Sequence, residues 1–246
     1  MKSRHSKLLH ELFGKPIIQR AFQSSLAMAS EKPLFVFGHQ SDEIRKDLDE
    51  SFGESSYQFV IQDPPRGTGD AIRVALDKIS DLDGKNTHIY IAGGDAVLLR
   101  SESLQRFRED YFQSDAALSF ITTCLEEAGA YGRVCRNSKK AVEKIVEAKN
   151  TTAEEKDIKE INAGFYLIRL DVLRETIAQL EKDSTSGEFY LTDIVSLLLK
   201  TGHLIQTTCL KDWTECLGVN TRADLARATQ VLRQRSNELW MERGVS

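Results

Sequence analysis

Between Pro16 and Phe112 the sequence alternates runs of helical periodicity with short apolar runs, and this alternation constrains the fold more than any other feature. Strand, helix and strand in that order pack as βαβ units on a mostly parallel sheet. Ile17, Ile18, Ala21, Phe22 and Leu26 give one apolar face to a helix from Pro16 to about Ala29, with Pro16 in its first turn. Leu34 to Phe37 reads as a strand. Ser41-Asp42-Glu43 supplies an N-cap and an acidic first turn for a helix to about Phe52, and Tyr57 to Gln62 is the next strand. His88 to Ala92 is a further strand, followed by a helix from Ser101 to Phe112 and a strand from Ala116 to Thr122.

A chain of 246 residues, 41% hydrophobic and 28% charged, is globular and long enough for one large α/β domain, which is preferred here over two small ones. The formal charge of −4 creates no overall positive field, so nucleic acid is not an expected partner and any anionic ligand must be met by local cations. Four cysteines without a C-x-x-C pair and five histidines without H-x-x-x-H suggest neither a zinc site nor a disulfide framework. No apolar run approaches the ~18 residues of a membrane span, and Met1 to Lys7 lacks the apolar segment of a signal peptide. The expectation is a cytoplasmic protein with reduced thiols and no membrane partner; no oligomeric state follows.

Two stretches carry candidate chemistry. The strand His88 to Ala92 runs through Gly93-Gly94 into Asp95, which places a carboxylate at a strand's C-terminal end, the edge where open α/β sheets bind ligands. With little side-chain bulk before it, Asp95 suits a hard cation holding phosphates; the alternative is a turn Asp capping the helix near Ser101. The second stretch is Asp63-Pro64-Pro65-Arg66-Gly67-Thr68-Gly69-Asp70, where prolines end pairing and glycines allow close backbone approach just before a helix. The N–H groups at that helix start attract anions or polar ring edges, and an ordinary turn is the alternative.

In the second half, Tyr131 to Val134, Val142 to Glu147 and Gly164 to Ile168 read as strands in longer excursions, which suggests a substrate lobe. Glu147 ends one strand pattern and Asn162 begins another, and such side chains suit sugar hydroxyls, although solvated strand ends remain open. Tyr190 and Leu191 read equally as core. Val195 to Leu199 is a helix closed by Gly202. Thr221 with Asp224 resembles a capping box for a long final helix whose Leu225, Leu232 and Leu239 form one stripe, packed on the domain or on a partner helix.

Taken together, the motifs Lys7-Leu8-Leu9-His10 with Gly14-Lys15-Pro16, Gln62 followed by Gly67-Thr68-Gly69, Gly94-Asp95 and Tyr131-Gly132-Arg133 stand in a familiar order. They continue with Ile145-Val146-Glu147-Ala148-Lys149, Ile161-Asn162-Ala163-Gly164, Gly187 to Asp193 and Gly218-Val219-Asn220-Thr221-Arg222. The chain resembles, nearly end to end, the uridylyltransferase domain of the bacterial N-acetylglucosamine-1-phosphate uridyltransferases, within the sugar-nucleotide pyrophosphorylases. The resemblance implies a Rossmann-like, doubly wound mixed α/β sheet of the nucleotidyltransferase type with a sugar-binding β lobe. It divides the chain into a nucleotide-binding half (1–115), a sugar-phosphate half (116–220) and a C-terminal helix (221–246). The implied reaction is Mg²⁺-dependent transfer of UMP from UTP to N-acetylglucosamine 1-phosphate. Asp95 and Asn220 are then expected to hold Mg²⁺, with Lys7 and Asp95 catalytic and Lys7 on the nucleotide phosphates. Gln62, Gly67 and Thr68 would meet the uracil, and Gly132, Glu147, Asn162, Tyr190 and Thr192 the sugar phosphate. Another sugar 1-phosphate or nucleotide, or a non-catalytic nucleotide-sugar-binding remnant, are the competing expectations.

The chain departs from the family pattern at Ser6 for a proline, Ala96-Val97 for Val-Pro, and Asp70 for a histidine. The family opens with a strand and a Gly-rich phosphate loop, whereas the resemblance here begins at the Met that would follow that loop's Arg. The sheet is therefore expected to lack its usual first central strand, between Leu34–Phe37 and His88–Ala92. Met1 is expected to be an internal methionine, and the chain as given to be unstable and to turn over negligibly. No acetyltransferase β-helix domain is expected.

Overall fold

The structure is a computed structural model and describes residues 6–38 and 41–245; Met1 and Ser246 lie outside the described residues. After a 3-10 turn at Lys7–Leu9 come a two-residue hairpin, β1 (Glu11–Leu12) and β2 (Lys15–Pro16), and helix α1 (Ile17–Leu26). β3 (Leu34–Phe37), α2 (Asp42–Phe52), β4 (Gln58–Ile61), α3 (Thr68–Lys78), β5 (His88–Ala92) and α4 (Ser101–Phe112) complete the alternating half. The second half contains β6 (Leu118–Cys124), β7 (Arg133–Arg136), β8 (Val142–Val146), α5 (Ala153–Lys156), β9 (Glu160–Arg169) and α6 (Leu170–Ile177). It ends with α7 (Ile194–Lys200), β10 (Ile205–Leu210) and α8 (Arg222–Glu242).

The main sheet has the order β10-β6-β9-β7-β8, with β5 also paired to β9. It is mixed and largely antiparallel: β10 and β6 run parallel, whereas β9 is antiparallel to β5, β6 and β7. The mostly parallel arrangement implied by simple βαβ repetition is therefore confined to β3 with β4 and to β6 with β10. β9 changes partner along its length. Near its start Ile161 pairs with Arg133 of β7, and from Phe165 onward the strand pairs with β5. Gly164, at φ +79°, stands at the change, a backbone geometry that glycine adopts without steric cost. Asn162 sits beside it, inside the strand and not at its start. Its Oδ1 accepts from Gly164 N–H at 3.1 Å.

β3 and β4 form their own two-stranded parallel sheet. Among the described residues neither pairs with β5, and a groove of about 1620 Å³ runs between β3 and β5. The expectation of a sheet interrupted between these two strands matches this arrangement. The β3–β4 pair is held instead from its other side, where Phe22 of α1 lies 4.2 Å from Phe52 and 6.1 Å from Phe35, ring centroid to centroid. This aromatic cluster joins Ile18, Phe37, Ile44, Leu48 and Tyr57 in a separate small core.

Local signals behave as their chemistry dictates, with one exception. Thr221 caps α8 in a full capping box with Asp224, and Leu225 and Leu232 of that helix pack on a core formed by Leu12, Ile17, Val97, Leu98 and Val219. Leu239 is exposed instead. Ser41 occupies the N-cap position of α2 but its side chain makes no capping bond; its φ and ψ of −90° and 0° are helical, which turns the hydroxyl away from the N–H groups a cap must reach. No described helix is long and apolar enough to cross a membrane.

The split sheet gives a measurable signature. Amides of β9 from Phe165 to Arg169, covered by β5 and β6, should exchange with solvent deuterium only at the global unfolding limit. The amides of β3 and β5 that face the groove should exchange orders of magnitude faster than those facing β4 and β9; uniform protection across both strands would show that these edges are paired in solution.

Candidate active site

The candidate groups stand past the end of β5, inside β9 beside Gly164, and on the turn before α8. After β5, the chain passes Gly93 and Gly94 and reaches Asp95, whose backbone carbonyl accepts from Val219 N–H at 3.2 Å. That bond registers the 218–220 turn against the strand end. Tyr131 completes the connection, its hydroxyl accepting from Gly218 N–H at 3.0 Å. Burial raises the Tyr131 pKa, so the hydroxyl stays protonated and neutral across the physiological range. Helix α4 is preceded by Arg100, whose N–H donates to Glu215, so Asp95 is not its cap.

Lys7 joins these two segments. Its Nζ donates to Asp95 Oδ2 at 2.5 Å and to Asn220 Oδ1 at 2.8 Å. Two hard oxygens from residues 125 positions apart thus converge on one cation. The backbone of Lys7 is fixed by the 3-10 turn, where Ser6 Oγ accepts from Leu8 N–H. Among the described residues no group of three or more His, Cys, Asp and Glu gathers as a metal cluster.

On the other side of the groove, Glu147 follows β8 and accepts from Thr192 Oγ1 at 2.7 Å, leaving one carboxylate oxygen free of that bond. Asn162 Nδ2 donates to the Tyr166 hydroxyl at 2.5 Å, and Asn162 N–H donates to the Gly132 carbonyl at 2.9 Å. A Cβ on Gly132 would meet the Ile145 side chain at 3.0 Å, so that side chain would have to give way to a larger residue. Lys7, Thr68, Asp95, Glu147, Asn162, Thr192 and Asn220 all line the groove, which continues from the slot between β3 and β5.

Four of the residues singled out in sequence are not part of that lining. Gly132 is buried under Asn162. Tyr190 is 8% exposed, with its hydroxyl 2.7 Å from Ser186 Oγ and Lys149 Nζ 4.8 Å from its ring centroid. Gln62 donates both available N–H directions of its amide, to the Gly67 carbonyl at 3.0 Å and to Asp70 at 2.9 Å. Both partners are acceptors only, so Nε2 is fixed chemically and Oε1 is left as an acceptor. Gly67 has φ +100°, and a Cβ there would lie 2.5 Å from the Phe189 carbonyl oxygen. Its glycine is therefore required by contact with the 188–191 segment, which also receives Thr68: Leu191 N–H donates to Thr68 Oγ1 at 3.0 Å.

Sequence reasoning assigned no role to Tyr131 or Asp193. Tyr131 belongs to the Tyr-Gly-Arg motif, the only signal that could have found it. Asp193 is half-buried beside Glu147, and its pKa is raised, first by burial and then by the Glu147 and Asp183 carboxylates.

A profile of nucleotidyl transferases matches residues 2–242. The chain is 34% identical over 247 residues to the bifunctional protein GlmU of Solibacter usitatus, covering 100% of this chain and 52% of that protein. It is 35% identical over 246 residues to the bifunctional protein GlmU of Desulfotalea psychrophila, covering 100% of this chain and 70% of that one. The chain thus spans about half the length of the Solibacter protein it matches. A Bacillus anthracis protein described as a glucose-1-phosphate thymidylyltransferase, solved with a sucrose, superimposes with a TM-score of 0.72 at 18% identity, over 92% of this chain and 86% of that one. HddC from Yersinia pseudotuberculosis gives 0.65 at 16% identity, over 94% and 91%. The fold is that of the nucleotidyltransferases, with a mixed central sheet. The chain belongs to the nucleotidyl transferase family, and within it is similar to the GlmU proteins.

The raised Asp193 pKa carries a stability consequence. A carboxyl whose folded pKa exceeds its unfolded value destabilises the fold once pH passes the unfolded pKa, because the unfolded state then releases the proton more readily. Asp193→Asn should therefore raise the thermal midpoint at pH 7, with the gain shrinking as pH falls to about 4; a gain independent of pH would point to packing instead of charge.

Proposed function

We propose that the chain transfers UMP from UTP to N-acetylglucosamine 1-phosphate, releasing pyrophosphate. The observation that carries this reading is the convergence of Lys7, Asp95 and Asn220 at the end of β5, facing Glu147, Thr192 and Asn162 across one groove. One side offers a cation and two oxygens to phosphates, and the other offers hydrogen-bonding groups to a sugar. The similarity to GlmU proteins over the whole chain supports the choice of sugar and nucleotide.

The oxygens of Asp95 and Asn220 already share one cationic partner, and hard oxygens in this number suit Mg²⁺, which takes few protein ligands and fills its shell with water and phosphate. Bound there, Mg²⁺ supplies charge neutralisation on the nucleotide phosphates. The sugar 1-phosphate brings an ionised oxygen that attacks the α-phosphorus in line, forming the new P–O bond as the bond to pyrophosphate breaks. No proton needs to be removed from that nucleophile. Lys7 offsets negative charge on the phosphates, and the site contributes chiefly position and charge.

Glu147 presents the oxygen not held by Thr192, and Asn162 the amide valences not spent on Tyr166 and Gly164, to the sugar hydroxyls. Thr192 and Tyr190 hold this wall, the first through Glu147 and the second through Ser186, and the Gly132 carbonyl fixes the Asn162 backbone. For the base, the free Oε1 of Gln62 is an acceptor suited to the imino N–H of uracil, beside Gly67 and Thr68.

The direct test follows pyrophosphate release from a panel of nucleoside triphosphates and sugar 1-phosphates with Mg²⁺; turnover with another sugar or base, and none with this pair, would reassign the substrates. Asp95→Ala and Asn220→Ala should each lower kcat/KM by about 100-fold or more, on the order of 3 kcal/mol of transition-state stabilisation, with the fold retained by circular dichroism. Glu147→Ala and Asn162→Ala should raise the KM for the sugar phosphate roughly 10-fold, about 1.4 kcal/mol, and leave that for the nucleotide within about 2-fold. Equal losses for both substrates would refute this division of the groove.

A further inference from the structure

Lys7 donates to the same two oxygens, Asp95 Oδ2 and Asn220 Oδ1, that the proposed function assigns to a metal ion. At 2.5 and 2.8 Å the ammonium occupies the space between them, and its side chain is 36% exposed, so the four-carbon stem has room to swing. A divalent ion ~2.1 Å from both oxygens would stand less than about 5 Å from that nitrogen, since Nζ is 2.5 Å from one of them. A dication and an ammonium at such a distance repel far more strongly than one hydrogen bond attracts. One cation at a time fits.

We infer that Lys7 is an exchangeable internal counter-ion: it holds the Asp95–Asn220 pair together without metal, and the metal, on arriving, displaces it toward the nucleotide phosphates. This inference rests on the metal assignment above and adds the coupling. The 3-10 turn keeps the Lys7 backbone in place while its head group moves, since Leu8 and Leu9 pack on neighbouring cores and Leu8 lies 3.7 Å from where a Gly94 Cβ would stand. The lysine thus prepays the gathering of two oxygens from distant parts of the chain, at the cost of competing with the metal. A triphosphate offers the displaced ammonium a new anionic partner, so metal and nucleotide should each favour the other's binding.

The test uses Mn²⁺ alone, with no nucleotide or sugar, titrated calorimetrically into the wild-type chain, Lys7→Met and Lys149→Met. Lys149 contacts Glu188 and Tyr190 on the sugar side, so its substitution removes an equal charge without touching Asp95 or Asn220. Lys7→Met is expected to bind Mn²⁺ about 10-fold more tightly than wild type, and Lys149→Met within about 2-fold of it. In Mn²⁺-soaked crystals of the wild-type chain, the anomalous peak should lie between Asp95 and Asn220, with Lys7 Nζ beyond hydrogen-bond distance of both. An unchanged or weaker affinity for Lys7→Met, an equal gain in both variants, or an ion seated with Lys7 still on both oxygens would overturn the exchange while leaving nucleotidyl transfer to its own assay. Absence of Mn²⁺ binding in all three proteins would remove the metal assignment and the exchange together.

Discussion

The pairing of β9 with three other strands is the constraint on which the architecture depends. Its start lies against β7, its second half against β5, and β6 follows it almost throughout. Because every backbone donor and acceptor in a buried strand needs a partner, this one strand locks β5 to β7 and, through β7, to β8. Asp95 at the end of β5 and Asn162 beside the bend in β9 are thereby held across a fixed gap. Their separation is set by strand pairing together with the short Gly93-Gly94 turn, which the Val219 N–H bond to the Asp95 carbonyl ties down.

A second constraint is charge. A chain with net −4 has no overall positive field to draw on, and Lys7 brings a cation into a groove that Asp95 and Glu147 also line. Asp193 lies nearby, and its pKa is raised first by burial and then by the Glu147 and Asp183 carboxylates. Packing on the opposite side is glycine-dependent: Gly67 and Gly69 admit the backbone of Phe189, and Gly69 N–H donates to the Phe189 carbonyl at 2.8 Å. The Gly-Thr-Gly sequence is thus first a close contact between two segments, and through that contact it places Thr68 on the groove.

Much of this was legible in residue order. Leu34–Phe37, His88–Ala92 and Ser101–Phe112 stand where their periodicity put them, because strong apolar patterning bounded by turn residues leaves few alternatives. β10 was not legible: Ile-Gln-Thr-Thr-Cys-Leu has β-branched residues but no clean alternation, since its threonines are satisfied within the sheet and at its margin. α6 follows β9 without a breaking residue, so nothing in sequence marks the change of period. Strand direction was equally hidden, because a buried apolar run reads the same in parallel and antiparallel neighbours. In the site, Lys7, Asp95, Asn220, Glu147 and Asn162 were named from motifs and do face one groove. The occupied amide of Gln62 and the enclosed hydroxyl of Tyr190 depend on partners that only tertiary structure reveals.

The turn that carries Asn220 is held against α8 through Val219, in the core beneath the helix, while Arg235 of the same helix reaches back to the Leu98 carbonyl at 2.6 Å, in the segment after Asp95. Asn220 therefore stands beside Asp95 only while the 218–220 turn is seated between the strand end and the helix, through Val219 N–H on the Asp95 carbonyl and the Val219 side chain in the core. A loosening of α8 would part the two oxygens while leaving the pairing of the sheet intact, so the packing of a distant helix sets the spacing of this pair.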